Sequence, residues 1–119
     1  FEGFIGNMEK IYSNLHLVVI PSRSEEPFAT SALEPGLFAL PVIVSNRGGL
    51  PEIVDDGVNG FVFNMGEVKV LSNAISQFIQ SPLLLTTMGK AHFEKVSSQF
   101  SFQEFINNWE KTIQQINKK

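Results

Sequence analysis

The stretch that decides the fold is residues 17–45, LVVIPSRSEEPFATSALEPGLFALPVIVS. It opens and closes on short apolar runs rich in β-branched residues, Leu17-Val18-Val19-Ile20 and Val42-Ile43-Val44. Runs of this kind, bounded by turn residues, read as strands buried on both faces, the habit of a parallel sheet. Pro21-Ser22 ends the first run, and the spacing predicts a helix over 30–38 before Pro41 opens the second. A strand, a loop, a helix and a second strand make one βαβ unit.

Working outward, the same alternation continues. Asn46-Arg47-Gly48-Gly49 is a turn cluster, 50–54 holds one or two helical turns, and Phe61-Val62-Phe63 is a third strand behind Asp55-Asp56-Gly57 and Asn59-Gly60. Upstream, 1–5 reads as a short strand, and Met8, Ile11 and Tyr12 stand at helical spacing. Downstream the pattern is helical. Leu71, Ala74, Ile75, Phe78 and Ile79 form one stripe, and Leu85, Met88, His92 and Val96 line a helix opened by Ser81-Pro82. Phe102, Phe105, Ile106, Trp109, Ile113 and Ile116 line a last one. The expected fold class is α/β: a Rossmann-like parallel sheet flanked by helices, with a helical C-terminal tail wrapping an edge or face of the sheet.

The 119 residues suit one domain, and an apolar fraction of 43% with eleven phenylalanines can build its core. The net charge of −3 offers no basic face for nucleic acid, and no Lys/Arg run suits an anionic membrane. With no cysteine, disulfide frameworks and thiolate metal sites are excluded. No signal peptide or bilayer-spanning run is visible, so the expected location is cytoplasmic. The two histidines, His16 and His92, have no second ligand at metal spacing and read as structural or surface residues. Ser22, Ser24 and Ser31 lack a nearby His, and neither the phosphate-loop motif nor the Gly-rich dinucleotide motif occurs.

The chemistry is expected in 22–36, SRSEEPFATSALEPG. In open α/β sheets ligands bind beyond the carboxyl ends of strands, and a helix N-terminus there presents free N–H groups and partial positive charge to phosphate. The small residues Ala29, Thr30, Ser31 and Ala32 would let a ligand approach the backbone. Glu26 lies in the loop and Glu34 about one turn into the helix. A carboxylate suits hydroxyls rather than phosphate. A diphosphate between two hydroxyl-rich sugars, as in a nucleotide-sugar, fits that layout. Spacing alone leaves two plainer readings open: Glu34 as an acid favoured by the helix dipole, and Glu25-Glu26 as a solvated loop.

The ordered elements Pro21-Ser22, Glu26-Pro27-Phe28, Glu34, Pro41-Val42-Ile43, Gly48-Gly49 with Glu52, and Asp56-Gly57 with Gly60 resemble the donor-binding half of GT-B glycosyltransferases of family GT4. The resemblance covers residues 3–64. It implies that 1–119 is a C-terminal Rossmann-like donor-binding domain, a fragment of a longer two-domain enzyme. It further implies retaining transfer of a sugar from a UDP-, GDP- or ADP-sugar to an acceptor, with no cofactor and no metal. Glu26 would contact hydroxyls of the transferred sugar and is the catalytic residue the resemblance implies. Backbone N–H groups of Phe28, Ala29 and Thr30 would face sugar and diphosphate, and Glu34 would hold the ribose hydroxyls. The missing N-terminal domain would be the partner of this one, and any peripheral membrane association would come through it. Polysaccharide biosynthesis is the expected setting. The chain departs from the family at Ala29 and Ala39, where Gly is common, at His16, where Asp is common, and at Pro35-Gly36, both poor inside a helix. A flavodoxin-like binding or signalling module and a GT-B sugar-nucleotide epimerase are the alternatives.

Overall fold

The computed structural model describes residues 11–23 and 30–99. After a helical turn at Ile11–Tyr12 come strand β1 (Val18–Ile20), helix α1 (Thr30–Leu37), β2 (Val42–Ser45), the short α2 (Leu50–Ile53) and β3 (Gly60–Phe63). Helices α3 (Val68–Gln80) and α4 (Pro82–Gln99) follow. The strands form a parallel sheet in the order β1-β2-β3, with Val18 opposite Val42 and Val42 opposite Gly60. The expected strand at 1–5 and the last helix at 102–116 lie outside the described residues.

β2 is buried at every position, as its unbroken apolar run requires. Its side chains alternate between two hydrophobic clusters. Val42 and Val44 join Ala32, Leu33, Leu50, Ile53, Val54 and Val96 on one face. Ile43 joins Phe63, Ala74, Phe78 and Met88 on the other, where Phe61 meets Phe78 edge to ring at 5.5 Å. β1 departs from expectation: Val19 is 36% exposed, because β1 is an outer strand among the described residues. The stripe on α3 is also narrower than its spacing predicts, for Ala74 and Phe78 are buried while Ile79 is 73% exposed.

Helix α4 supplies Met88 to one cluster and Val96 to the other, so it passes from one face of the sheet to the other. It does so beneath the amino ends of the strands. Gly89 lies against the Ala39 carbonyl and the Pro41 ring, which precede β2, and any Cβ at Gly89 would collide with that carbonyl oxygen. On the facing helix a Cβ at Gly36 would come within 2.5 Å of Val96 Cγ2. This accounts for a glycine inside α1, where propensity alone counts against it. The proline beside it removes one N–H, and α1 closes soon after. The Ala39 amide donates to the Gly36 carbonyl (3.1 Å) and the Leu40 amide to the Pro35 carbonyl (3.0 Å), with Ala39 at φ 54°. These are the paired bonds of a Schellman ending, in which an alanine takes the left-handed position usually given to glycine.

His92 occupies the middle of the crossing, fully buried. Its Nε2 lies 2.8 Å from the Ala32 carbonyl, so that nitrogen carries the proton, and Nδ1 accepts from Asn59 Nδ2 at 2.9 Å. Asn59 is held in turn, donating to the Ile53 carbonyl (3.0 Å) and accepting from the Asp55 amide (2.7 Å). Burial lowers the pKa of His92 most, and Lys95 adds to the effect against the raising influence of the Ala32 bond. The histidine is a neutral structural link between α1, α4 and the turn before β3.

Candidate functional site

The carboxyl ends of the three strands form the opposite edge. There the chain leaves β1 through Pro21, Ser22 and Arg23 and re-enters at Thr30, the first residue of α1. Ser45, the buried last residue of β2, donates from Oγ to the Ser22 carbonyl at 2.7 Å and so ties the start of this loop to the central strand. The next loop is tied to β3. The Asn46 amide donates to the Phe63 carbonyl (2.8 Å), and Asn46 Nδ2 donates to Asn64 Oδ1 (3.0 Å). Asn64 is steadied by its own amide, which donates to Glu67 Oε1 at 3.3 Å. Polar side chains thus link the strand tips at this edge to one another and to the loops that follow them.

Of the residues singled out from sequence, Glu26, Phe28 and Ala29 lie outside the described residues. Thr30 opens α1, as the reading of a helix start requires. Glu34 is the fifth residue of α1, about one turn in, and is half-buried. Its carboxylate has a partner that sequence reading passed over. The Tyr12 hydroxyl donates to Glu34 Oε2 at 3.0 Å. The Tyr12 ring is buried and stacks on Phe38, the residue just after α1, with centroids 5.1 Å apart and planes 25° from parallel. Burial, followed by the charge and the hydrogen bond of Glu34, pushes the Tyr12 phenol well above its usual range, so it stays a donor. Twenty-two residues separate the pair, and only the helical spacing of Met8, Ile11 and Tyr12 in the sequence hinted that the ring faces inward.

Of the other polar residues, His16 precedes β1 at the opposite edge, whereas Arg23 and Arg47 follow the carboxyl ends of β1 and β2. His16 is exposed and Arg23 is exposed, while Arg47 is half-buried in the turn after β2. Asp55 and Asp56 make a turn, as their adjacency implies. Asp56 Oδ1 accepts from the Val62 amide (2.9 Å), and Asp55 pairs with Lys95 Nζ (3.0 Å). Among the described residues no three His, Asp or Glu side chains converge as a metal site, and no helix is long and apolar enough to cross a membrane.

A parallel sheet with a helix starting at its carboxyl edge and an acid one turn inside is shared by several families. Comparison with known proteins decides among them. The family described as glycosyl transferases group 1 matches residues 1–95. The chain belongs to that family. The match extends past the 3–64 stretch that carries the motifs and takes in α3 and most of α4. Among its group 1 relatives, spore coat protein SA of Bacillus subtilis is 29% identical over 86% of this chain and 27% of its own length. Human alpha-1,3/1,6-mannosyltransferase ALG2 is 38% identical over 73% of this chain and 21% of its own. Among solved structures, Anabaena HepE in complex with UDP and glucose superposes with a TM-score of 0.81 at 28% identity, over 96% of this chain and 31% of that one. The chain therefore spans about a quarter of the length of the curated relatives it matches. The likeness to HepE makes the fold one half of a GT-B glycosyltransferase rather than a flavodoxin-like module.

Proposed function

We propose that this chain is the C-terminal, donor-binding domain of a two-domain glycosyltransferase that uses a nucleoside-diphospho-sugar. The observation that carries the reading is the position of α1. It starts at the carboxyl edge of a parallel sheet, with Glu34 held one turn inside, in a group 1 chain similar over nearly its whole length to a protein solved with UDP and glucose. In this reading the diphosphate lies before the first turn of α1, where unpaired N–H groups and the helix dipole favour negative charge. Backbone N–H groups of Phe28, Ala29 and Thr30 face the sugar and the diphosphate. Glu34 accepts from the ribose hydroxyls, and Glu26 from hydroxyls of the transferred sugar. An N-terminal domain supplies the acceptor site and the other wall of the cleft.

Transfer is retaining and needs no metal. Charge on the departing diphosphate is met by N–H groups at the start of α1 and by basic side chains, a stabilisation that works where the donors are held in place beforehand. The test begins with ligand-detected NMR of the chain against UDP, GDP and ADP, in which at least one nucleotide binds. Glu34→Ala then weakens that nucleotide about tenfold or more, the usual consequence of removing hydrogen bonds to a charged group. In the complete enzyme, Glu26→Ala lowers turnover more than nucleotide affinity. The product keeps the donor's anomeric configuration by proton NMR, and EDTA leaves the rate unchanged. Full turnover by both variants would refute the assignment of the two acids.

A further inference from the structure

Tyr12 lies outside the loop and helix that carry the proposed donor contacts, and it comes from the turn before β1. Nothing in the packing of a buried aromatic calls for its hydroxyl to point at the one acid of α1. A phenylalanine would fill the same space against Phe38. We propose that Tyr12 is a positioning residue for nucleotide binding: its hydroxyl fixes the Glu34 carboxylate in the orientation that receives the two ribose hydroxyls. The proposal rests on the assignment of Glu34 to the ribose.

Three observations carry it. The hydroxyl meets Oε2 at 3.0 Å, which determines the rotation of the carboxylate about its own axis. The ring that bears the hydroxyl is itself held, buried and stacked on Phe38, the residue that follows α1. Tyr12 thus meets Glu34 through its hydroxyl and Phe38, just past the end of α1, through its ring. Lastly, one phenol uses one acceptor site of a carboxylate that offers about four, so a vicinal diol can still be received on the remaining lone pairs. A glutamate is among the side chains that lose the most rotamer freedom when ordered. Tyr12 imposes that order before the nucleotide arrives. Because the phenol stays protonated throughout the neutral range, it donates under all working conditions.

The experiment is calorimetric titration of the full chain with UDP, GDP and ADP, each beside its 2′-deoxy counterpart. Four forms are compared: wild type, Tyr12→Phe, Glu34→Ala and the double variant. Wild type favours the ribonucleotide, and Glu34→Ala abolishes that preference. Tyr12→Phe weakens the ribonucleotide about 2- to 10-fold, the range expected when one rotamer-rich side chain must be ordered on binding. It leaves the deoxynucleotide affinity unchanged. In the double variant the Tyr12 substitution adds nothing, because the two residues act as one unit. Equal weakening of both nucleotides by Tyr12→Phe, accompanied by a lower melting temperature, would mark Tyr12 as a packing residue only and overturn the proposal. So would an effect that adds in full to that of Glu34→Ala. Persistence of the ribose preference in Glu34→Ala, or failure of every ribonucleotide to bind, would instead overturn the donor-site reading, and this proposal with it.

Discussion

The two edges of the sheet are built on opposite principles. At the amino edge α4 lies against the chain with glycines at the contact, and the buried pair His92 and Asn59 has its polar side-chain atoms bonded. At the carboxyl edge the strand tips are linked by Ser45, Asn46 and Asn64, and the acid on α1, the helix that starts there, accepts a hydrogen bond from the Tyr12 hydroxyl. Close packing makes the first edge stiff and intolerant of added volume. The second consists of polar groups linked pairwise and partly open to water, where a ligand can compete for hydrogen bonds. Stability is concentrated at one end of the sheet, and recognition is possible at the other.

The comparison is broken most directly at Gly89. An alanine there drives a methyl into the Ala39 carbonyl, which is main chain and cannot swing aside. Gly89→Ala should cost about 3 kcal/mol of stability, at the upper end of overpacking effects, by urea denaturation. Nucleotide affinity of the molecules that remain folded should not change.

His92 sharpens the same contrast through pH. Its folded pKa lies below the unfolded value of 6.5, so the unfolded chain binds the extra proton more readily. The stability it contributes is complete above pH 6.5 and is lost as pH falls from there toward the folded pKa. A proton on Nδ1 would also face the Asn59 amide, itself a donor. His92→Leu should lower stability at pH 8 by about 2 kcal/mol, because a buried amide loses its partner, and should flatten the acid limb of the stability curve.

At the other edge Ser45→Ala removes the tie to the Ser22 carbonyl and should cost about 1 kcal/mol. The smallest effect is expected where neither edge is involved. Ile79→Ser, on the exposed side of α3, should stay within about 0.5 kcal/mol of wild type.

What could be read from the sequence was whatever depends on near neighbours. Val42-Ile43-Val44 announces a central strand, and the spacing of Leu85, Met88, His92 and Val96 gives the inner face of α4. Leu17-Val18-Val19-Ile20 has the same apolar character yet leaves Val19 partly exposed, since composition does not tell an outer strand from an inner one. The stripe on α3 was read one residue too wide at Ile79, because a helix can bear more apolar residues than its partner covers. Pro35-Gly36 looked like a defect in α1 until Val96, sixty residues on, supplied the reason for the glycine. The same holds at the candidate site. The position of Glu34 one turn into α1 follows from local pattern, whereas its bond to Tyr12 is a tertiary contact that no local pattern encodes.

The passage of α4 beneath the sheet has a consequence for how the molecule opens. One continuous helix closes both hydrophobic clusters, through Met88 on one side and Val96 on the other. Detaching it uncovers the two together, so an opening that releases α4 exposes both halves of the core at once. Amide hydrogens in β2 and α3, although on different layers, should therefore exchange through a single shared opening, with one free energy measured by native-state hydrogen exchange.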